Sequence, residues 1–402
     1  MQSVAVAKSD GSAARQRAGW FHRLKKRGYR AKRPAALPTA SPLRIGDYTI
    51  ARIGPEEAGL IPDGFRRVYG ENYLSSAVYD TEAIGTALRS GEQISFLARH
   101  VSGDFAGHIA LRRSAPNGSI YEISQGIVVA EHRKAGIFRH IFDAALGMAE
   151  NDPTCEALFG TALTNHKISQ RVLSEAGLRD VGFEIDYVPQ RMLSREGAAG
   201  PIATVVQYRS FGRGPVSPAY VSPALAGWVW RLLRTGGEAG PALPVVRAQL
   251  TRRTCLGEET DLPRFDMARL TLEEAGDDLP RLLPDFEQRS AAAGRRTAQV
   301  LIALDRPQAA AAIESLRPLG YAFSGLLPRY LPGSAHGALL YKSFGRPNFK
   351  EIQPYTEQAS ALLSDVVLDW HFVTQNKELV HESLPALDPA SRGARTVPQR
   401  MA

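Results

Sequence analysis

Between residues 45 and 192 the chain alternates short runs of period-2 hydrophobicity with stretches of helical spacing. That pattern predicts strands at 47–53, 93–100, 104–112, 120–129 and 157–163, and helices at 56–69, 81–88, 137–150 and 166–176. Tyr121, Ile123, Ile127 and Val129 share one face of the longest strand. Ile137, Ile141 and Ala145, with Phe138, Phe142 and Leu146 beside them, form the apolar stripe of the helix that follows. Gly177 stops the 166–176 helix. Antiparallel pairs first and a strand–helix–strand crossover later indicate a mixed α/β sheet.

The second half repeats part of this pattern. A strand at 299–304 and an Ala-rich helix at 308–316 lead to Gly320, Gly325 and Pro328, an echo of Gly177, Gly182 and Pro189. Placing Gly177 over Gly320 sets Asn165 and His166 opposite Gln308 and Ala309, so the polar pair is absent from the echo. Between the halves lie a predicted strand at 203–209 and an apolar segment at 225–233 whose Trp228 and Trp230 mark an interdomain seam. Leu363, Val366, Val367 and Trp370 give helical spacing over 355–372, after which the chain turns polar and is expected to fray. The expected division is an arm at 1–41, a first domain at 42–195, a connecting segment at 196–244, a degenerate second copy at 245–350, and a C-terminal helix and tail at 351–402.

Charge changes the picture only at the N-terminus. The formal net charge is +8, but residues 1–40 hold ten Lys and Arg against the single acid Asp10, which leaves the rest near neutral. The folded part therefore offers no electrostatic case for nucleic acid. The arm reads as a solvated, disordered segment; Trp20, Phe21, Leu24 and Tyr29 within it make an anionic lipid or RNA surface, or an organelle address, its alternatives. With two cysteines, Cys155 and Cys255, and no 18-residue apolar window, a reduced, cytoplasmic setting is expected, without a metal site.

The stretch from Val128 through Val129, Ala130, Glu131, His132, Arg133, Lys134, Ala135, Gly136 and Ile137 to Phe138 joins a strand to a helix through a basic, glycine-containing turn. Free amides at a helix start, the helix dipole and a small residue together cradle a phosphate. This segment resembles motif A of the GNAT acyl-CoA-dependent N-acetyltransferase superfamily, with Arg133 and Gly136 matching and Phe138 replacing the final small residue. A phenyl group there either crowds the phosphate or turns onto the helix's apolar face. The segment 164–178, carrying Asn165, His166, Ser169, Gln170 and Gly177, resembles the family's motif B.

The resemblance covers roughly residues 45–190 and implies acetyl-CoA, or another acyl-CoA, as co-substrate and a primary amine of a small metabolite as acceptor. It implies that Val128 and Val129 hold pantetheine, that Arg133, Lys134, Ala135, Gly136, Ile137 and Phe138 take the pyrophosphate, and that Asn165 and Ser169 flank the cofactor. Glu122, on the strand face opposite Tyr121 and Ile123, is the first choice of base; an edge glutamate or ion pair is its plainer role. His166 is the second choice, or simply a helix-start residue with Asn165 as N-cap. Tyr121 reads as core, Ser169 and Gln170 as helical polar residues, and Cys155 as no nucleophile. A non-catalytic acyl-CoA-binding module, or a surface protein acting through its arm, are the competing functions.

Overall fold

A computed structural model describes residues 42–133, 135–192, 198–238, 240, 242–250 and 254–383, with side chains omitted from 376 onward. The basic arm and Lys134 lie outside the described residues. The strands are β1 Leu43–Ile45, β2 Tyr48–Arg52, β3 Gln93–His100, β4 Phe105–Arg112, β5 Ile120–Val128, β6 Ala157–Leu163, β7 Arg179–Val188, β8 Ile202–Ser210, β9 Leu256–Leu262, β10 Met267–Glu274, β11 Thr297–Ala303, β12 Ala322–Leu331 and β13 Ala335–Ser343. The α-helices are α1 Leu60–Tyr69, α2 Thr81–Ser90, α3 Ile137–Asn151, α4 Ile168–Glu175, α5 Ala226–Thr235, α6 Leu279–Ala292, α7 Gln308–Leu316 and α8 Glu357–Ser383. The helix expected at 56–69 is broken by Gly59 into a 3-10 turn and α1, and α8 continues well past the point where fraying was expected.

All strands join one 13-stranded mixed sheet in the order β1-β2-β3-β4-β5-β6-β8-β7-β12-β13-β11-β10-β9. The β4-β5-β6-β8-β7 run has antiparallel, parallel, antiparallel, antiparallel neighbours, and β9-β10-β11-β13-β12 has the same order and senses. β8, which the sequence places in the connecting segment, is inserted between β6 and β7, so the first half runs through Ser210. Pro332, rather than Pro328, stands as far beyond Gly320 as Pro189 stands beyond Gly177.

Strand alternation sorts the helices onto two faces. Phe96 and Ala98 join an apolar cluster that includes Ile141 of α3, Leu173 of α4, Val229 of α5, Leu283 of α6, Ile313 of α7 and Val366 of α8. Leu97, between them, faces the other way and packs with Ile61 and Phe65 of α1 and Ile84 and Leu88 of α2. The first cluster is continuous across both halves. Asp80 caps α2 by accepting from the Ala83 amide at 2.9 Å, as an N-cap carboxylate should. Trp228 packs on Phe323 at 5.1 Å between ring centroids, while Trp230 is exposed, so only the former sits in the seam.

The halves meet where β7 and β12 run antiparallel with Gly182 opposite Gly325. A Cβ on Gly182 would lie 3.1 Å from Gly325 Cα, and one on Gly325 would overlap Gly182 and approach the Val181 carbonyl oxygen to 2.7 Å. Gly325 also has φ of 154°, which L side chains rarely adopt. Gly325 is therefore obligatory for the strands to touch, whereas a Cβ on Gly182 would be tight and would require the facing backbone to give slightly. We expect Gly325→Val to lower unfolding stability by about 3 kcal/mol or more through backbone overlap. Gly147→Ala in α3, where a Cβ meets nothing within 4 Å, is expected to be neutral or slightly stabilising. Denaturant titration of the two variants checks the contrast.

Candidate functional site

The site begins with a fault in the sheet. β4 and β5 pair His108 with Ile127 and Ala110 with Ser124, so Gln125 and Gly126 together oppose Ile109, and Gln125 takes a φ of 58°. Such a bulge bends and twists its strand. β5 then pairs with β6 only from Ile120 to Glu122, against Ala157 to Phe159, although β5 runs on to Val128 and β6 to Leu163. β6 stays attached to β8 as far as Leu163 opposite Thr204, so it is β5 that leaves.

A buried histidine holds the bulge. His108 Nδ1 lies 3.0 Å from the Gln125 carbonyl oxygen and Nε2 lies 3.0 Å from Ser95 Oγ. A carbonyl only accepts, so Nδ1 carries the proton, and Nε2 accepts from Ser95, whose oxygen accepts in turn from Gln93 Nε2 at 2.9 Å. Burial pushes the His108 pKa down to about 4.

A cavity of about 900 Å³ passes through the split. Ile123, Phe142 and Leu173 line it on the face of α3 and α4, while Phe159, Val206 and Leu327 line it on the opposite face. At one end stands the start of α3. Gly136 enters it with φ of 72°, no side chain caps the helix, and Arg133 folds back so that its Nε donates to the Val128 carbonyl at 3.2 Å. Phe138 turns inward: its ring covers Gly126 on β5, where a Cβ would come within 2.7 Å of it, and it packs near Phe142. The phosphate side of the helix is thus left clear, and Gly126 is the residue that makes room.

Five polar atoms along this passage are buried without a hydrogen-bond partner: Ser124 Oγ, Gln125 Oε1, His166 Nδ1, Ser169 Oγ and, at the far end, Arg264 Nε. Unsatisfied polar atoms in a cavity wall are costly unless a ligand or water completes them. Their mixed donor and acceptor character suits a polar chain that both donates and accepts hydrogen bonds.

At the other end the wall is charged and aromatic. Glu122 faces Arg112 at 3.7 Å, and Glu184 of β7 is held by Arg269 of β10 and by Thr204 Oγ1 at 3.1 Å. Tyr73, Tyr187 and Tyr330 line the same end, and burial, first of all, raises each phenol above its ordinary pKa, with the nearby carboxylates adding to the effect. All remain neutral donors at physiological pH. Tyr187 and Tyr330 occupy equivalent places, five residues beyond Gly182 and Gly325.

Among the expected site residues, Glu122, Val128, Arg133, Phe138, His166 and Ser169 line one cavity. Ala135 and Gly136 are exposed at the turn, Ile137 is core, and the Val129 amide is already spent on the Ala106 carbonyl at 3.1 Å. Asn165 is not an N-cap, because α4 starts only at Ile168 and Lys167 precedes it. Gln170 is buried and structural, with Nε2 donating to the His166 and Gln353 carbonyls and Oε1 accepting from the Tyr355 amide. Tyr121 is core, bonded to Asp152 and Arg113. Burial raises the Cys155 thiol to about 12, so it carries no thiolate for attack. Sequence reasoning missed Tyr73, Glu184, Tyr187, Arg269 and Tyr330; the matching Gly-x4-Tyr spacing after Gly182 and Gly325 was the available signal for Tyr187 and Tyr330.

No family model matches the chain, nor does any curated protein searched. The chain is similar to solved structures of a ribosomal-protein-S5-alanine acetyltransferase from Vibrio fischeri (12% identity, 44% of this chain, 100% of that chain, TM-score 0.36). It is also similar to an acetyltransferase of the GNAT family from Streptococcus pneumoniae (16%, 40% and 99%, TM-score 0.34) and to spermidine N-acetyltransferase from Vibrio cholerae (13%, 42% and 95%, TM-score 0.33). Among the described residues, no cluster of His, Cys, Asp and Glu could hold a metal ion, and no helix is long and apolar enough to cross a membrane.

The His108 network makes a pH prediction. Unfolded, the imidazole takes up a proton near its ordinary 6.5, whereas folded it resists until about 4. The unfolded state thus binds the extra proton in that window, and stability is full above pH 6.5 and lost as pH falls toward 4. The contribution is at most about 3 kcal/mol. Urea unfolding at pH 7 and pH 4.5 should show a smaller pH difference for His108→Gln than for the parent.

Proposed function

We propose that the first half is a GNAT-type N-acyltransferase domain that moves an acyl group, most simply acetyl, from acyl-CoA to a primary amine of a small metabolite. The observation that carries this reading is the passage itself. It connects an uncapped helix start on one sheet face, through a split lined by unpartnered polar atoms, to Glu122 on the other.

Acyl-CoA supplies a thioester carbon already activated for transfer. The amides of Ile137 and Phe138, the Arg133 side chain and the turn at Ala135 and Gly136 would take its pyrophosphate. Val128, Ser124, Gln125, Asn165 and Ser169 would meet the pantetheine arm. Because the Val129 amide is already bonded, the strand amides before it carry that role. Glu122 would accept the proton that the amine nitrogen loses as its bond to the acyl carbon forms and the carbon–sulfur bond breaks, and that proton restores the free thiol. Arg112 faces this carboxylate at 3.7 Å, and His166 is the alternative acceptor.

We further propose that the second half is a degenerate copy. The repeated strand order and the recurrence of Gly177, Gly182, Tyr187 and Pro189 as Gly320, Gly325, Tyr330 and Pro332 support this. Its crossover strands β10 and β11 pair without a break from Met267 to Leu272, and Asp277 and Asp278 precede α6, so neither a split nor an anion cradle is present there.

Acetyl-CoA at 100 times its Kd should stabilise the protein by about 2.7 kcal/mol. Gly136→Glu should abolish that shift, read by thermal melting. Release of free thiol with an amine panel then tests transfer: binding without release would leave an acyl-CoA-binding module instead. Glu122→Gln should lower kcat by about 100-fold while acetyl-CoA affinity holds.

A further inference from the structure

Resting on the acyltransferase reading, we infer that the acceptor is an amine that also carries an anionic group, and that Arg264 of the second half binds that group. The turn Pro263–Phe265, between β9 and β10, reaches across to the first half and lines the acceptor end of the cavity. It is clamped in place from the first half. Arg191 Nη2 donates to the Arg264 carbonyl at 3.0 Å, the same guanidinium grips Asp266, and Phe265 stacks on Tyr187 at 4.6 Å and 14°.

Within this clamped turn the Arg264 side chain has no acid to balance it among the described residues. One Nη2 proton goes to the Tyr73 carbonyl, and Nε is buried with no partner. The other charges around it are already matched: Glu122 faces Arg112, and Glu184 is held by Arg269 and Thr204. The acceptor chamber therefore holds Arg112, Arg264 and Arg269 against Glu122 and Glu184, an excess of one positive charge. Arg264 is half-buried, with its Nε held out of water and unpartnered, and a ligand anion would supply both the missing acceptor and the counter-charge. A purely cationic amine would meet the excess as repulsion. An amino acid, or an amine bearing a phosphate, satisfies both ends: its nitrogen near Glu122 and its anion on the guanidinium fork.

The test uses the full chain, acetyl-CoA and matched amine pairs that differ only in the anion: lysine with cadaverine, β-alanine with ethylamine, and phosphoethanolamine with ethanolamine. Free-thiol release gives kcat/KM, and calorimetry gives acetyl-CoA affinity in the same preparations. The anionic member of at least one pair should be preferred at least 10-fold, and whether carboxylate or phosphate wins identifies the anion. Arg264→Gln should lower kcat/KM for that member by about 30-fold or more, chiefly through KM. It should leave its uncharged-end partner and acetyl-CoA affinity unchanged, and Arg264→Lys should recover part of the loss. Preference for the plain amines, equal loss for both members of a pair, or acetyl-CoA binding with no turnover of any anionic amine would overturn the inference. Absence of acetyl-CoA binding in the parent protein would instead overturn the acyltransferase reading on which it rests.

Discussion

The approach of β7 to β12 at Gly182 and Gly325 is the constraint on which the remaining architecture depends. Two strands that occupy the same place in their respective halves run antiparallel here with their backbones in contact. That contact relates the halves by an approximate two-fold axis, merges their sheets and lets one apolar cluster run beneath both. It also fixes which loops face which. The β9–β10 turn is brought over the loop after α1, and β10 is brought close enough for Arg269 to reach Glu184. α8 reinforces the seam from one side, through the bidentate Arg317–Asp369 pair and the bond from Thr356 to Asp180. A buried ion pair of this kind adds little net stability but penalises any other register.

The second organising feature is a defect, and it is maintained at a cost. An inserted residue in β5 forfeits ladder bonds, a non-glycine residue adopts a left-handed backbone at Gln125, and His108 is kept neutral in the interior to hold the bulge carbonyl. In exchange the sheet opens along half the length of two strands, and a cavity can run from one face to the other. Without the opening, the start of α3 and the Glu122 carboxylate would lie on opposite sides of a closed wall.

Many elements were legible because they are strongly periodic: the 93–100 and 157–163 strands of the first half and the 308–316 helix of the second match to the residue. Glu122, Arg133, His166 and Ser169, picked out because each sits at a fixed step from a turn signal, come together on the wall of one cavity. Three kinds of element escaped. β9 is an acid-rich edge strand, Leu-Gly-Glu-Glu-Thr-Asp-Leu, with no alternation to read; α6 carries Pro280 and Pro284, which argue against a helix when sequence is all there is. β8 was visible as a strand, but its insertion between β6 and β7 is a matter of long-range pairing that no local pattern encodes. The charged, aromatic end of the cavity escaped for a similar reason, since Tyr73, Glu184, Arg264, Arg269 and Tyr330 come from segments that only the seam brings together.

The unbroken β10–β11 pairing has an arithmetical consequence. Two matched halves would ordinarily give two equivalents of ligand per chain, with each half free to drift independently. On the proposed reading, the closed crossover would leave one ligand site per chain, with the second half a fixed wall against which the first is shaped. Substitutions on that wall would then carry no demand for cofactor chemistry of their own, so the shape of the shared chamber could change while the first half stayed constant.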